Sequence, residues 1–162
     1  ASTFKQHLPN LFSVSLSATN YLTSFDTYIL SLPQTQRPKT VAYATSQDSF
    51  TQPQIDHARS VLEQGGLHTV FYTAFPTDTI DYTPIAQKVI QSGADVVMLG
   101  TIGTADAAGF AKSFKQQHFD PKALIATAGP DQGDQFTTPL GGTQSAEGIM
   151  VPNDGWFPGI KT

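Results

Sequence analysis

The chain has 162 residues, of which only 14% are charged, with a formal net charge of -4 and no cysteine. That length suits one domain with a real core, and the missing basic footprint argues against nucleic acid or an anionic membrane as partner. The absence of cysteine removes disulfides, thiolate chemistry and cysteine-bound metals, and it fits an exported protein.

In chain order, Ala1 to Ser17 reads as an extended lead-in with Pro9 and a short strand-like run from Leu11 to Ser15. The chain begins without an initiating Met, as a mature chain or a piece of a longer one would. Leu22, Phe25, Ile29 and Leu32 then mark one helix face, closed by Pro33. A first strand is expected over Thr40 to Thr45, followed by the polar run Ser46-Gln47-Asp48-Ser49 before Phe50. Ile55, Ala58 and Leu62 give the next helix its buried face, and Gly65-Gly66 stops it. The unit repeats with a strand from Thr69 to Tyr72, a long loop from Phe75 to Thr79 and a helix lined by Ile85, Ala86, Val89 and Ile90.

Val96-Val97-Met98-Leu99 is an unbroken apolar run between Gly93-Ala94-Asp95 and Gly100-Thr101-Ile102-Gly103-Thr104. A run without alternation is the signature of a strand covered on both faces, so this is read as the central strand of a parallel sheet. Ala107, Phe110, Ala111 and Phe114 line the following helix, Ala123 to Thr127 is a fourth strand, and Gly129-Pro130 breaks it. A short helix is expected within Asp131 to Thr138, and Gly148 to Val151 is the last strand, before an irregular tail from Pro152 to Thr162. The alternation of strands and helices predicts an α/β three-layer sandwich, with a mostly parallel five-stranded sheet in the order 2-1-3-4-5. No run approaches the roughly 18 to 20 apolar residues of a membrane span.

Enzyme motifs are missing: there is no nucleophile elbow, no phosphate loop and no dinucleotide fingerprint. His7, His57, His68 and His118 are far apart and read as ordinary surface or structural residues, with no metal spacing. Asp131, Gly133 and Asp134 faintly suggest calcium, but a capped loop is the better reading. A phospho-receiver domain would need an aspartate at the central strand tip, where Gly100-Thr101-Ile102 stands. Open α/β sheets place ligands at the carboxyl ends of their strands, and there the sequence puts Ser46, Ser49, Phe50, Thr101, Ile102, Thr104, Ala128 and Gly129. Small hydroxyls, free amides and one aromatic face suit recognition of a small molecule rather than catalysis. Phe50 and Ile102 also suit plain packing, and Thr101 and Thr104 also suit a helix cap.

Several stretches together resemble a known family: Lys39-Thr40-Val41-Ala42-Tyr43-Ala44 leading to Asp48-Ser49-Phe50-Thr51, the loop from Phe75 to Pro84, Ser92-Gly93-Ala94-Asp95-Val96-Val97, and Ala146-Glu147-Gly148-Ile149. In that order and spacing they are similar to the second lobe of type I periplasmic binding proteins of the branched-chain amino-acid transporter family. The resemblance runs from Leu11 to Gly159. It implies a Rossmann-like lobe, with residues 1–15 as inter-lobe crossover, 16–152 as the ligand-binding lobe and 153–162 as a tail toward the hinge. It also implies a missing first lobe, a transporter membrane permease as partner, an extracytoplasmic location (periplasmic or as a cell-surface lipoprotein), and neither catalysis nor a cofactor. The family's ligand positions on this lobe fall at Phe50, Ile102 and Ala128, and Trp156 lies near the implied hinge. Ala128 stands where the amino-acid binders carry an acidic residue. The expected ligand is therefore an apolar or aromatic acid rather than a free amino acid. A ligand-sensing regulatory domain of the same fold is the alternative, and an α/β enzyme domain a third reading that lacks acidic or histidine side chains at the strand tips.

Overall fold

The computed structural model describes residues 17–152. The lead-in expected over residues 1–15, the tail over 153–162 and Trp156 lie outside the described residues.

Five strands form one sheet: β1 (Thr40–Ser46), β2 (His68–Phe75), β3 (Val96–Gly100), β4 (Ala123–Ala126) and β5 (Ile149–Met150). Their order is β2-β1-β3-β4-β5 and every pairing is parallel, as the unbroken apolar runs predict. The register sets Val41 beside Val96 and Thr45 beside Gly100, so the carboxyl tips of β1 and β3 end level with each other.

Helices α1 (Thr23–Ser31) and α2 (Thr51–Gln64) cover one face, while α3 (Thr83–Gln91) and α4 (Thr104–Gln116) cover the other. Alternate residues of β1 divide between the two layers: Val41 and Tyr43 pack with Leu22, Phe25, Ile29 and Ile55, whereas Ala42 and Ala44 pack with Ala86, Val89 and Phe110. A short helix α5 (Asp134–Thr137) lies between two 3-10 turns, Pro130–Gln132 and Thr138–Leu140. It brings Phe136 and Leu140 onto the α4 side of the sheet.

Several boundaries differ from the sequence reading. β2 runs from His68 to Phe75 and draws Phe75, expected in the loop, into the core at 3% exposure. Seven residues of β1 pair with it, and that ladder extends the strand past the point where apolar periodicity fades. β1 reaches Ser46, β4 stops at Ala126, and β5 keeps only Ile149 and Met150 of the four residues expected. Gly148, at φ +83, holds a left-handed turn that delays the start of β5. The short helix expected within Asp131 to Thr138 is present as α5, which starts after Gly133 at φ +55.

The motif Gly93-Ala94-Asp95 belongs to the amino end of the sheet. The Asp95 carboxylate accepts the Lys39 amide at 2.8 Å and pairs with Lys122 at 2.8 Å, while the Asp95 amide donates to the Thr40 hydroxyl at 2.9 Å. These bonds tie the starts of β1, β3 and β4 together. The hydrogen bonds and the Lys122 charge outweigh burial and hold the Asp95 carboxyl below its usual range, although burial is the largest single influence and opposes this.

Candidate functional site

The tips of β1, β3 and β4 share one edge of the sheet, and each tip is closed by an aspartate or a threonine acting on backbone amides. At β1, the chain turns through Gln47-Asp48-Ser49 into α2. Asp48 accepts the amides of Phe50 (2.7 Å) and Thr51 (3.0 Å) and the Thr51 hydroxyl. Burial works against ionisation of Asp48, but these hydrogen bonds prevail and keep its carboxyl below the ordinary range. Ser46 is fully buried beneath this turn, its carbonyl accepting the hydroxyls of Thr45 (3.2 Å) and Thr51 (3.1 Å). Ser49 is exposed. Phe50 is 41% exposed, and its ring meets that of Tyr21 edge-on at 5.3 Å between centroids.

At β3, Asp106 in the first turn of α4 reaches back to the amides of Ile102 (2.6 Å) and Gly103 (3.0 Å). Asp106 is itself buried, and that burial pushes its carboxyl above the usual value despite the three amides it accepts, the third from Ala107. The result is a rigid strand-to-helix corner that leaves the Ile102 side chain 49% exposed.

Thr101 is fully buried and clasps β4. Its amide donates to the Thr127 hydroxyl (2.9 Å), which donates in turn to the Thr101 carbonyl (2.8 Å). The Thr101 hydroxyl donates to the Ala128 carbonyl (2.6 Å) and accepts the Ala128 amide (3.2 Å). Both polar groups of that hydroxyl are used within the protein, so Thr101 fixes the spacing of two tips. Ala128 is half-buried beside it. Gly129, at φ +110, lies so close to α4 that a Cβ there would sit 2.5 Å from the Gly103 carbonyl oxygen.

The sequence positions thus divide. Phe50, Ile102 and Ser49 face outward at neighbouring tips; Ser46 and Thr101 are structural supports beneath them, and Ala128 is the small residue between. Tyr21, Asp48, Asp106 and Thr127 complete the edge and were not singled out from the sequence. Asp48 three residues before Thr51, and Asp106 three after Gly103, carry the spacing of helix-start aspartates, the one signal that points to them. Thr104 lines a shallow hollow with Thr77, Tyr82, Ile102, Gly103, Ala105 and Asp106.

A hollow of about 510 Å³ is at the opposite end of the sheet, where Pro121, Lys122 and Ala123 lead into β4 and Gly148 into β5. It is remote from the strand tips. Asp131 accepts the Gly129 amide at 3.0 Å and the Gln132 side-chain amide at 2.7 Å, a capped loop. His57, His68 and His118 are exposed. Among the described residues no group of three or more acidic or histidine side chains is placed to hold a metal, and no helix is long and apolar enough to cross a membrane.

The sequence matches a family model described as periplasmic binding protein over residues 2–162. No curated protein matches it. Among solved structures, a putative branched-chain amino acid ABC transporter protein from Silicibacter pomeroyi superposes with a TM-score of 0.75 at 14% identity, covering 86% of this chain and 35% of its own. A substrate-binding periplasmic protein from Ralstonia solanacearum gives 0.69 at 15% identity, covering 88% and 38%. An ABC transporter solute-binding protein from R. palustris, in complex with 4-hydroxybenzoate, gives 0.65 at 20% identity, covering 85% and 38%. At such identities the likeness concerns the fold, and the chain spans little more than a third of the length of the structures it matches.

Proposed function

The chain belongs to the periplasmic binding protein family, and from that premise we propose that it is the second lobe of a solute-binding protein serving an ABC-type uptake transporter. The ligand we infer is a small apolar or aromatic acid, held between this lobe and a first lobe outside this chain. The strand-tip edge that bears Phe50 and Ile102 is the ligand-facing wall, with Ser49 at its margin. The lobe binds and does not catalyse; the protein works outside the cytoplasm and hands its ligand to a membrane permease.

The observation that carries this reading is the chemistry of that edge. Two large apolar side chains stand exposed there, Phe50 at 41% and Ile102 at 49%, while the carboxylates of the strand-tip turns are engaged by the chain's own donors. Asp48 accepts from Phe50 and Thr51, Asp106 from Ile102, Gly103 and Ala107, and Asp131 from Gly129 and Gln132. Ala128 offers no charge. An ammonium group brought against this wall would lose its water without gaining a counter-ion, at a cost of several kcal/mol. An aromatic ring instead gains contact with Phe50 and Ile102, and its carboxylate would be held by the other lobe. The 4-hydroxybenzoate bound by the R. palustris relative is a ligand of this kind.

Calorimetric titration of the full-length protein with 4-hydroxybenzoate and with leucine tests the reading. Heat of binding from the aromatic acid with none from leucine is expected. Tight leucine binding would refute the ligand class and move the charge recognition to the other lobe.

A further inference from the structure

We propose that Tyr21 is a positioning residue for the ligand wall: its ring holds the Phe50 ring in the orientation that faces the cleft. The inference rests on the proposed binding edge and adds a residue that neither the sequence motifs nor the strand tips indicate. Phe50 stands at the start of α2, where the Asp48 carboxylate fixes its backbone amide at 2.7 Å but leaves the side chain outside the core. A side chain exposed to this extent keeps its rotamer freedom unless a neighbour removes it. The neighbour is Tyr21, set edge-on at a centroid distance of 5.3 Å and an interplanar angle of 76°, a favoured geometry for two aromatic rings.

Tyr21 is suited to be the fixed member of the pair. It closes the 3-10 turn Ala18–Asn20 with its amide on the Ala18 carbonyl at 3.2 Å, and the next residue, Leu22, is 1% exposed in the core beneath α2. The brace therefore comes from a segment that precedes α1 and reaches across α2 to the β1 tip. A flat ligand laid on Phe50 meets a ring already oriented, so less side-chain freedom is lost on binding.

The test places 4-fluorophenylalanine at position 50 of the full-length protein and reads the fluorine signal. With Tyr21 intact, the line is displaced by the Tyr21 ring current and shows a cross-relaxation contact to Tyr21 ring protons. Tyr21→Phe keeps the displacement, and Tyr21→Leu moves the line to the position of a solvent-exposed fluorophenyl group. A line indifferent to Tyr21→Leu overturns the proposal, and so does a missing contact in the unsubstituted background, which holds even if that variant fails to fold. A second arm titrates benzoate and cyclohexanecarboxylate, equal in charge and similar in size. The preference for benzoate should shrink about two- to tenfold in Tyr21→Leu, the scale of one aromatic pair, and persist in Tyr21→Phe. An unchanged preference in Tyr21→Leu also overturns it. Failure of the unsubstituted protein to bind either acid would refute the ligand class instead, and the fluorine signal would still decide the role of Tyr21.

Discussion

Against one face of the sheet, α3 and α4 press a run of aromatic rings; against the other, α1 and α2 press mainly aliphatic side chains, with Phe25 and polar groups among them. In the first layer Phe75, Tyr82, Phe110, Phe114 and Phe119 follow one another at centroid distances between 5.2 and 6.1 Å. Its polar handle is satisfied, since the Tyr82 hydroxyl donates to the Thr79 carbonyl at 2.8 Å. Gly109 makes room for this ladder, because a Cβ there would lie 2.5 Å from the Tyr82 ring. In the second layer Asp26, Tyr43 and Gln54 bury side-chain polar atoms without a hydrogen-bond partner among the described residues. The two layers cover the same strands, so their tolerance of change separates the contribution of packing from that of buried polarity. The aromatic layer should be sensitive above all to loss of volume. The aliphatic layer should respond to pH through Asp26.

The largest effect is expected in the aromatic layer. Phe110 is fully buried and touches both Tyr82 and Phe114, so Phe110→Ala should cost about 3 to 5 kcal/mol of stability. Denaturant unfolding at two pH values measures this; a loss below about 1 kcal/mol would mean that the ladder is loosely packed.

In the other layer Asp26 is 2% exposed, and burial raises its carboxyl from 3.8 to about 7. The folded chain then keeps this proton between roughly pH 4 and 7, where the unfolded chain releases it. The stability contributed by the neutral form is fully present below pH 4, declines as the pH rises toward 7 and is lost above it, a change on the order of 1 to 4 kcal/mol. Asp26→Asn should flatten that decline and be more stable than the unsubstituted protein at pH 8. Parallel pH profiles for the two proteins would show Asp26 to be ionised and solvated in the fold.

A smaller effect is expected at the clasp between the layers. Thr101→Val removes a hydroxyl that both donates to and accepts from Ala128, leaving the half-buried Ala128 carbonyl and amide without that partner at a cost of about 1 to 2 kcal/mol. Thermal unfolding reads it, and a neutral substitution would show that water replaces the hydroxyl.

Much of the sheet is legible in the sequence because burial on both faces leaves a direct trace: Val96 to Leu99 carries no polar residue, and its neighbours follow from short connections. The exposed apolar tips are legible for the same reason in reverse, since Phe50 and Ile102 stand in the short turns after strand ends. Direction is harder to read. A threonine after a strand looks the same whether it faces a ligand or, like Thr101, the adjacent strand. Asp26 sits in the first turn of α1, where an acidic residue ordinarily meets the helix dipole in water. Its spacing from Leu22 and Ile29 instead places it on the buried stripe. The partners at the tips, Tyr21 on Phe50 and Thr127 on Thr101, are separated in sequence by 26 residues or more, and local patterning does not reach that far.

On the proposed reading the strand-tip edge binds while the two layers hold it in place, and Phe50→Ala in the full-length protein separates these roles. Affinity for an aromatic acid by calorimetry should fall by about 1 to 3 kcal/mol, with the melting temperature nearly unchanged. A large loss of stability with normal affinity would contradict the claim and make Phe50 part of the core.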